Sequence, residues 1–406
     1  MGKGRHQMAI FGIPFEFVLF AATLVGVALL SDRTLQVALV GVAAVILYKL
    51  VFGFDEGAGL TGFAAHLGHE WVILANLALL LTGFALLSRH FEQSRFPDIA
   101  PDILPQGWIG GLTLLVLIAF ISSFLDNIAA ALIGATMARH VYKGRVHIGY
   151  LAAIVAASNA GGAGSVVGDT TTTMMWIAGR SPLAVLHAYV GAVTALVIFG
   201  IAGARLQERY QPLLATATSG IRVDWTRIGI VIFILVVAVA VNLTTNLTMP
   251  ELGERLPVIG IGVWVAIALS AFVRQTDWKV LPGAIKGTVF LLSLVLAASL
   301  MPVKALPPPS WPTAFGLGFV SAVFDNIPLT ALALHQGGYD WGMLSYAVGF
   351  GGSMIWFGSS AGVAVSNLFP EAKSAIAWVR AAWWIAAAYV VGWFVALAIV
   401  GWRPEP

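Results

Sequence analysis

The chain has 406 residues, of which 59% are hydrophobic and only 10% charged, whereas soluble domains carry roughly 25% charged residues. A soluble enzyme or nucleic-acid-binding domain is therefore excluded, and the formal net charge of +3 calls for no nucleic-acid partner. With no cysteine, disulfides, thiolate metal sites and thiol nucleophiles are excluded as well.

Long apolar runs at 10–30, 35–53, 183–203, 227–241 and 376–400 approach or reach the roughly 20 residues that span a bilayer as a helix. A β-barrel would instead read as short alternating segments. Lys3, Arg5 and His6 precede the first apolar run. That run is too long for a signal-peptide core and is expected to be the first span, starting in the cytoplasm. A mixed segment, 54–70, holds Asp55, Glu56, His66, His69 and Glu70, and a helix is expected at about 71–88. Histidines at i and i+3 share a helical face, but no further ligand is visible to complete a metal site. The stretch 89–106, with Arg89, His90, Arg95, Pro97 and Pro101, reads as a polar loop.

The run from 108 to 138 is too long for one span and too short for two. Asp126-Asn127 lies near its middle, so a helical hairpin with this pair at its tip is expected. A basic connector follows (Arg139, His140, Lys143, Arg145), then a helix running into Ser158-Asn159-Ala160-Gly161-Gly162-Ala163-Gly164-Ser165 and Gly168-Asp169-Thr170-Thr171-Thr172-Thr173. So many glycines and polar residues predict a span broken by an unwound loop. Residues 205–226 form a polar linker between an N-terminal half, 1–204, and a C-terminal half, 227–406.

The second half opens with helices near 227–248, 257–274 and 283–300. It then repeats the order of the first: Phe324-Asp325-Asn326-Ile327-Pro328, a connector (335–340) without Lys or Arg, a helix, and a break at Gly351-Gly352-Ser353 and Gly358-Ser359-Ser360. Loops rich in Lys and Arg stay in the cytoplasm. The two connectors are therefore expected on opposite faces, with the repeats inverted, an arrangement that serves alternating access.

A carboxylate inside a membrane is costly and is a functional candidate by default. Asp126 and Asp325 could simply cap helices, but capping explains neither their repetition nor their depth. Carboxylates, amide and backbone carbonyls and hydroxyls are the hard oxygen ligands that suit Na⁺. The first half offers Asp126, Asn127, Asn159, Asp169, Thr170, Thr171 and Thr172; the second offers Asp325, Asn326, Ser353, Ser359 and Ser360. Na⁺ is expected at Asp126, Asn127, Asp325 and Asn326. Protons and Na⁺ compete for the same carboxylate oxygens, and competition at one site plus alternating access gives exchange.

The strings Ser158 to Ala163 and Gly168 to Trp176 resemble the signature region of the NhaD-type Na⁺/H⁺ antiporters. Ser122 to Asn127 and Ser321 to Pro328 resemble the two Asp-Asn hairpins of that family, Gly351 to Val363 its second break, and His66-Leu67-Gly68 an upstream element. The family belongs to the ion transporter superfamily, with citrate, dicarboxylate and arsenite carriers as relatives. The resemblance implies an all-α polytopic membrane protein of two inverted repeats, each with a re-entrant helical hairpin and a broken transmembrane helix. It further implies homodimers, elevator-type movement, and Asp126, Asn127, Asn159, Asp169, Asp325 and Asn326 as ion-site residues.

The expectation is a transporter, not an enzyme, without cofactor, exchanging Na⁺ or Li⁺ for H⁺ across the lipid bilayer of a bacterial inner membrane. The nearest rival is a Na⁺-coupled dicarboxylate or citrate carrier on the same fold. A fixed Asp at each hairpin tip would repel a polyanion and favours the cation.

Overall fold

The computed structural model describes residues 9–10, 12–30, 33–54, 57–99, 104–166, 168–213, 222–324 and 326–405. Helices account for 78% of the chain, and the only sheet among the described residues is a two-stranded ribbon, β1 (Ala9–Ile10) with β2 (Ile13–Pro14). Among the described residues five helical stretches are long and apolar enough to cross a membrane: Thr34–Phe52, Gly59–Gln93, Pro182–Tyr210, Trp278–Ser299 and Ala375–Val400. The fold is that of an all-α polytopic membrane protein.

Two groups of helices pack side by side. The first comprises α1 (Phe15–Leu29), α2 (Thr34–Phe52) and α3 (Gly59–Gln93). After the short α4 (Phe96–Ile99), the same group resumes in the second half with α11 (Trp225–Thr248), α12 (Pro250–Arg255), α13 (Val258–Ala271) and α14 (Leu281–Ser299). The second group begins with two short antiparallel arms, α5 (Trp108–Ser122) and α6 (Asn127–Val141). Then come α7 (Ile148–Ala163), α8 (Thr170–Ile177), α9 (Pro182–Leu186) and α10 (Ala188–Tyr210). It is completed by a second pair of arms, α15 (Trp311–Ser321) and α16 (Asn326–Gln336), and by α17 (Trp341–Ser345), α18 (Ser360–Leu368) and α19 (Ala375–Val400). A π-helical turn, Tyr346–Phe350, extends α17.

The arms of each pair close on themselves. Tyr150, in the first turn of α7, donates to Gly111 O at the start of α5 (2.7 Å), and its ring lies 5.5 Å from that of Tyr142 at the end of α6. Gln336, at the end of α16, donates to Pro307 O just before α15 (2.8 Å). The first pair closes where α10 ends, since Gln207 donates to Arg145 O (3.0 Å). The second closes beside α3 about a third of the way along it, with His335 Nε2 3.9 Å from Glu70 Oε2.

Three sequence expectations are corrected. Residues 59–70 of the mixed segment and 89–93 of the expected loop belong to α3, which runs unbroken over 35 residues, about 52 Å. Within it, His66 Nε2 meets Ser299 Oγ of the facing α14 at 2.9 Å. Second, the linker does not begin at 205, because Arg205, Glu208 and Arg209 belong to α10. Third, the helix persists through Ser158–Ala163, and the break covers only 164–169. Asp55, Glu56 and Asp325 lie outside the described residues, as do Lys3, Arg5, His6, Pro101 and residues 214–221 of the linker.

At the end of the bundle where α3 finishes, ion pairs join the first helical group. Arg89 Nε donates to Asp277 Oδ2 (2.9 Å) and Arg274 Nε to Asp224 Oδ2 (3.1 Å). The Arg89 guanidinium holds the Asp277 carboxyl below the usual carboxylate range, and Arg274 does the same to Asp224. A carboxyl whose pKa falls on folding stabilises the fold above its unfolded pKa of about 3.9 and loses that contribution as pH falls through the folded value. Asp277→Asn should therefore lower the melting temperature at neutral pH. The difference from the parent should shrink as pH falls through the lowered folded-state pKa of Asp277, as read by thermal unfolding of the purified protein.

Candidate functional site

The turns of the two arm pairs and the two breaks meet in the interior. In the first turn, Ser123, Phe124 and Leu125 bond back to the last carbonyls of α5, and Asp126 becomes the N-cap of α6. Asp126 caps with its backbone carbonyl, which accepts from Ala130 N (3.0 Å), while its carboxylate makes no cap hydrogen bond. That carboxyl lines a cavity of about 420 Å³ together with Asp169, Thr170 and Thr173. The cavity extends between α3 and α14 as far as Arg89 and Glu92.

Asp169 is the centre of the site. Its Oδ1 accepts from Thr171 N (3.0 Å) and caps α8. Its Oδ2 accepts from Asn127 Nδ2 of the first arm pair (3.1 Å) and from Asn326 Nδ2 of the second (3.3 Å). Asn127 Nδ2 also donates to Asn159 Oδ1 (3.1 Å). Asn159 Nδ2 in turn reaches the second half, donating to Ser353 Oγ (3.0 Å) and Ser359 Oγ (3.2 Å). Ser359 caps α18, its Oγ accepting from Gly362 N (3.2 Å). All these polar groups are buried, and a buried carboxylate without such donors would be strongly destabilising.

Asn127, Asn159, Asp169, Asn326, Ser353 and Ser359 are thus joined in one network, with Asp126 and Thr170 beside it on the cavity wall. Thr171 supplies its backbone N–H, and its fully buried hydroxyl has no hydrogen-bond partner among the described residues. Thr172 and Thr173 serve the break: their hydroxyls donate to Ser165 O (2.5 Å) and Val166 O (3.0 Å) and to the carbonyl of Asp169. Ser360 lines a separate cavity of about 250 Å³ beside Phe324 and Phe357. Among the described residues no cluster of three His, Asp or Glu could hold a metal ion, His66 and His69 included.

The same contacts are made twice, with hairpin residues offset by 199 positions and break residues by 190. Ser122 Oγ donates to Ser158 O and Ser321 Oγ to Val348 O, both at 2.6 Å. A Cβ on Gly161 would strike Ala119 O, and one on Gly351 would strike Gly318 O. A Cβ on Gly162 would come within 2.7 Å of Gly168 O, and one on Gly352 within 2.6 Å of Gly358 O. These glycines let each broken helix lie against its hairpin with backbone touching backbone. By the same register Asp169 corresponds to Ser359, so a carboxylate in one half answers to a hydroxyl in the other. Ser122 and Ser321 were not singled out from the sequence as site residues. Their identical position four residues before each Asp is the signal that could have found them.

No family model matches the chain. It is 28% identical over 289 residues to sodium/proton antiporter 1 of Arabidopsis thaliana and 30% identical over 291 residues to sodium/proton antiporter 2 of the same plant. The matches cover 61% and 60% of this chain, and 48% and 66% of those relatives. The Na(+)/H(+) antiporter NhaD of Alkalimonas amylolytica is 27% identical over 355 residues, 73% of this chain and 71% of the relative. These likenesses, at 24–30% identity over 60–74% of the chain, support an NhaD-type sodium/proton antiporter family. The chain spans about half the length of the first of these relatives and just under two thirds of the second.

The close backbone contact gives a direct test. Gly161→Ala or Gly351→Ala should each destabilise the protein by about 1–3 kcal/mol, the usual cost of forcing a methyl into a filled interior. Gly68→Ala, whose Cβ would meet nothing within 4 Å, should not. Denaturant titration of the purified proteins checks both.

Proposed function

We propose that the protein exchanges Na⁺ or Li⁺ for H⁺ by alternating access, with Asp169 as the carboxylate that both ions share. The observation that carries this reading is the Asp169 Oδ2 atom, which accepts from an asparagine of each hairpin, 157 residues apart for the longer contact. Asparagine amides are two-faced. Turned one way they donate to a carboxylate; turned the other they present carbonyl oxygens to a cation. Asn127, Asn159 and Asn326, the hydroxyls of Ser353 and Ser359, and Asp126 on the cavity wall complete a set of hard oxygen ligands. A proton on Asp169 or Asp126 and a Na⁺ beside it satisfy the same charge, so binding of one releases the other.

The hairpins are re-entrant in this proposal. The arms α5 and α6 have 15 residues each and α15 and α16 have 11, about 22 and 16 Å, too short for a hydrocarbon core of about 30 Å. The recurring contacts and the closure of the hairpins beside different helices, α10 and α3, support two inverted repeats. The end that carries Arg89, Arg139, Lys143, Arg145, Arg274 and Lys279 is the cytoplasmic one by charge, and the 420 Å³ cavity leads there. The hydrogen bonds described for the site join elements of the second helical group, while α3 and α14 contribute the facing wall. That division supports movement of the site as a unit. The protein works as a homodimer in the inner membrane of a bacterial cell.

Purified protein in liposomes with an acid interior and a pH dye tests the proposal. External Na⁺ or Li⁺ should collapse the gradient. Asp169→Asn and Asp126→Asn should abolish the response while leaving the protein folded, and Asn127→Ala or Asn326→Ala should weaken apparent cation affinity about tenfold, the cost of one charge-assisted hydrogen bond. Full exchange in Asp169→Asn removes Asp169 from the mechanism. Uptake of labelled citrate without any cation response moves the protein to the carboxylate carriers.

A further inference from the structure

A second group of polar side chains lies far from Asp169, on the outer surface where α10 ends and α19 begins. Arg205, Arg209, Arg380 and His147 surround a groove of about 440 Å³ with Trp383 and Trp384. All three arginines are exposed, and among the described residues none of them has a carboxylate partner. Arg205 lies over the Trp108 ring at 4.8 Å. The acid between them in sequence, Glu208, does not line the groove and acts instead on Tyr142. His147 Nδ1 accepts from Gly149 N (3.0 Å), so its Nε2 carries the proton and is a donor. Burial lowers the pKa of this imidazole, which keeps it neutral beside the arginines.

The surroundings say what kind of anion fits. α10 and α19 are packed along their length, with Gly203 giving room to Trp384. Beyond the groove both helices expose apolar side chains: Val193 and Val197 on α10, and Val391 and Phe394 on α19, each 44–54% exposed. From the end of the bundle inward, the surface therefore presents guanidinium groups, then tryptophan rings, then an uninterrupted apolar belt. A phospholipid presents the complementary order of anionic headgroup, ester region and acyl chains. Tryptophan favours the middle level of a bilayer interface, and basic pockets between spanning helices bind acidic headgroups.

We infer that the groove between α10 and α19 binds the headgroup of an anionic phospholipid. Arg205, Arg209 and Arg380 hold the phosphate, His147 donates a further hydrogen bond, and Trp383 and Trp384 lie along the upper acyl region. The site is built without any residue of the Asp169 network, so it stands apart from the exchange reaction.

The test is native mass spectrometry of the purified full chain after incubation with phosphatidylglycerol or phosphatidylcholine of matched acyl length. The wild type should retain phosphatidylglycerol in preference. Arg209→Gln and Arg380→Gln should each weaken that retention about fivefold, the effect of one basic group near an acidic lipid surface, with phosphatidylcholine retention unchanged. Arg380→Lys should keep most of the preference, which separates lost charge from lost fold. Equal retention of the two lipids by the wild type, or no change in the glutamine variants, overturns the site. Displacement of phosphatidylglycerol by millimolar inorganic phosphate overturns the lipid assignment in favour of a soluble phosphate. If phosphatidylglycerol is retained by the monomer and excluded from a dimer, the groove is instead an interface between copies.

Discussion

Everything near the centre of this molecule answers to one requirement, the solvation of the Asp169 carboxylate where water is scarce. One oxygen is held by the backbone at the start of α8, and the other takes an amide from each hairpin. A helix N-terminus is a favourable place for negative charge, which is why a helix must begin there and the preceding one must stop. The break at 164–169 is thus the cost of placing a charge at this depth, and the threonine hydroxyls that follow it make that break tolerable. They cover the carbonyls that the unwound backbone would otherwise leave bare.

The second constraint is how closely backbone can approach backbone. The hairpins reach Asp169 only because the broken helices are bare of side chains where the hairpins cross them, at Gly161 and Gly351. The equivalent hairpin residues are 199 positions apart (122 to 321, 127 to 326), and the equivalent break residues 190 (161 to 351, 168 to 358). The second half thus makes the same crossing with nine fewer residues between hairpin and break. The shorter arm α16, the tighter connector and the shorter helical run from α17 into the second break together absorb the difference.

Much of this was legible in the sequence because it is written in local contrast. An Asp-Asn pair inside apolar sequence, and glycines massed beside Asn159 and Asp169, stand out against a uniform background, and both marked real turns and breaks. Less legible was anything set by partners distant in the chain. His66 and Glu70 looked like a polar segment, yet they are interior positions of α3 that find Ser299 and His335 across the bundle. Arg205 and Arg209 looked like a linker, but a helix carries charge at its end without interruption. Read from the sequence, Na⁺ belongs at Asp126 and Asn127 with their counterparts Asp325 and Asn326, and Asp169 stands in second place. Only the folded chain distinguishes Asp169, which collects the network, from Asp126, which stands on the cavity wall. The pairing of Asp169 with Ser359 was hidden for the same reason, since the two share no chemistry, only position.

The reach of the network has a consequence for how the protein is made. Three of its hydrogen bonds join residues separated by 157, 194 and 200 positions. Synthesis proceeds from the N-terminus, so Asn127, Asn159 and Asp169 enter the membrane before Asn326, Ser353 and Ser359 exist. Until the second half is inserted, the Asn159 amide lacks both of its hydroxyl partners and Asp169 lacks one of its two asparagines. The newly made first half is therefore a polar intermediate in a lipid environment, and the steps that most need protection during biogenesis fall between the synthesis of α8 and the arrival of α18.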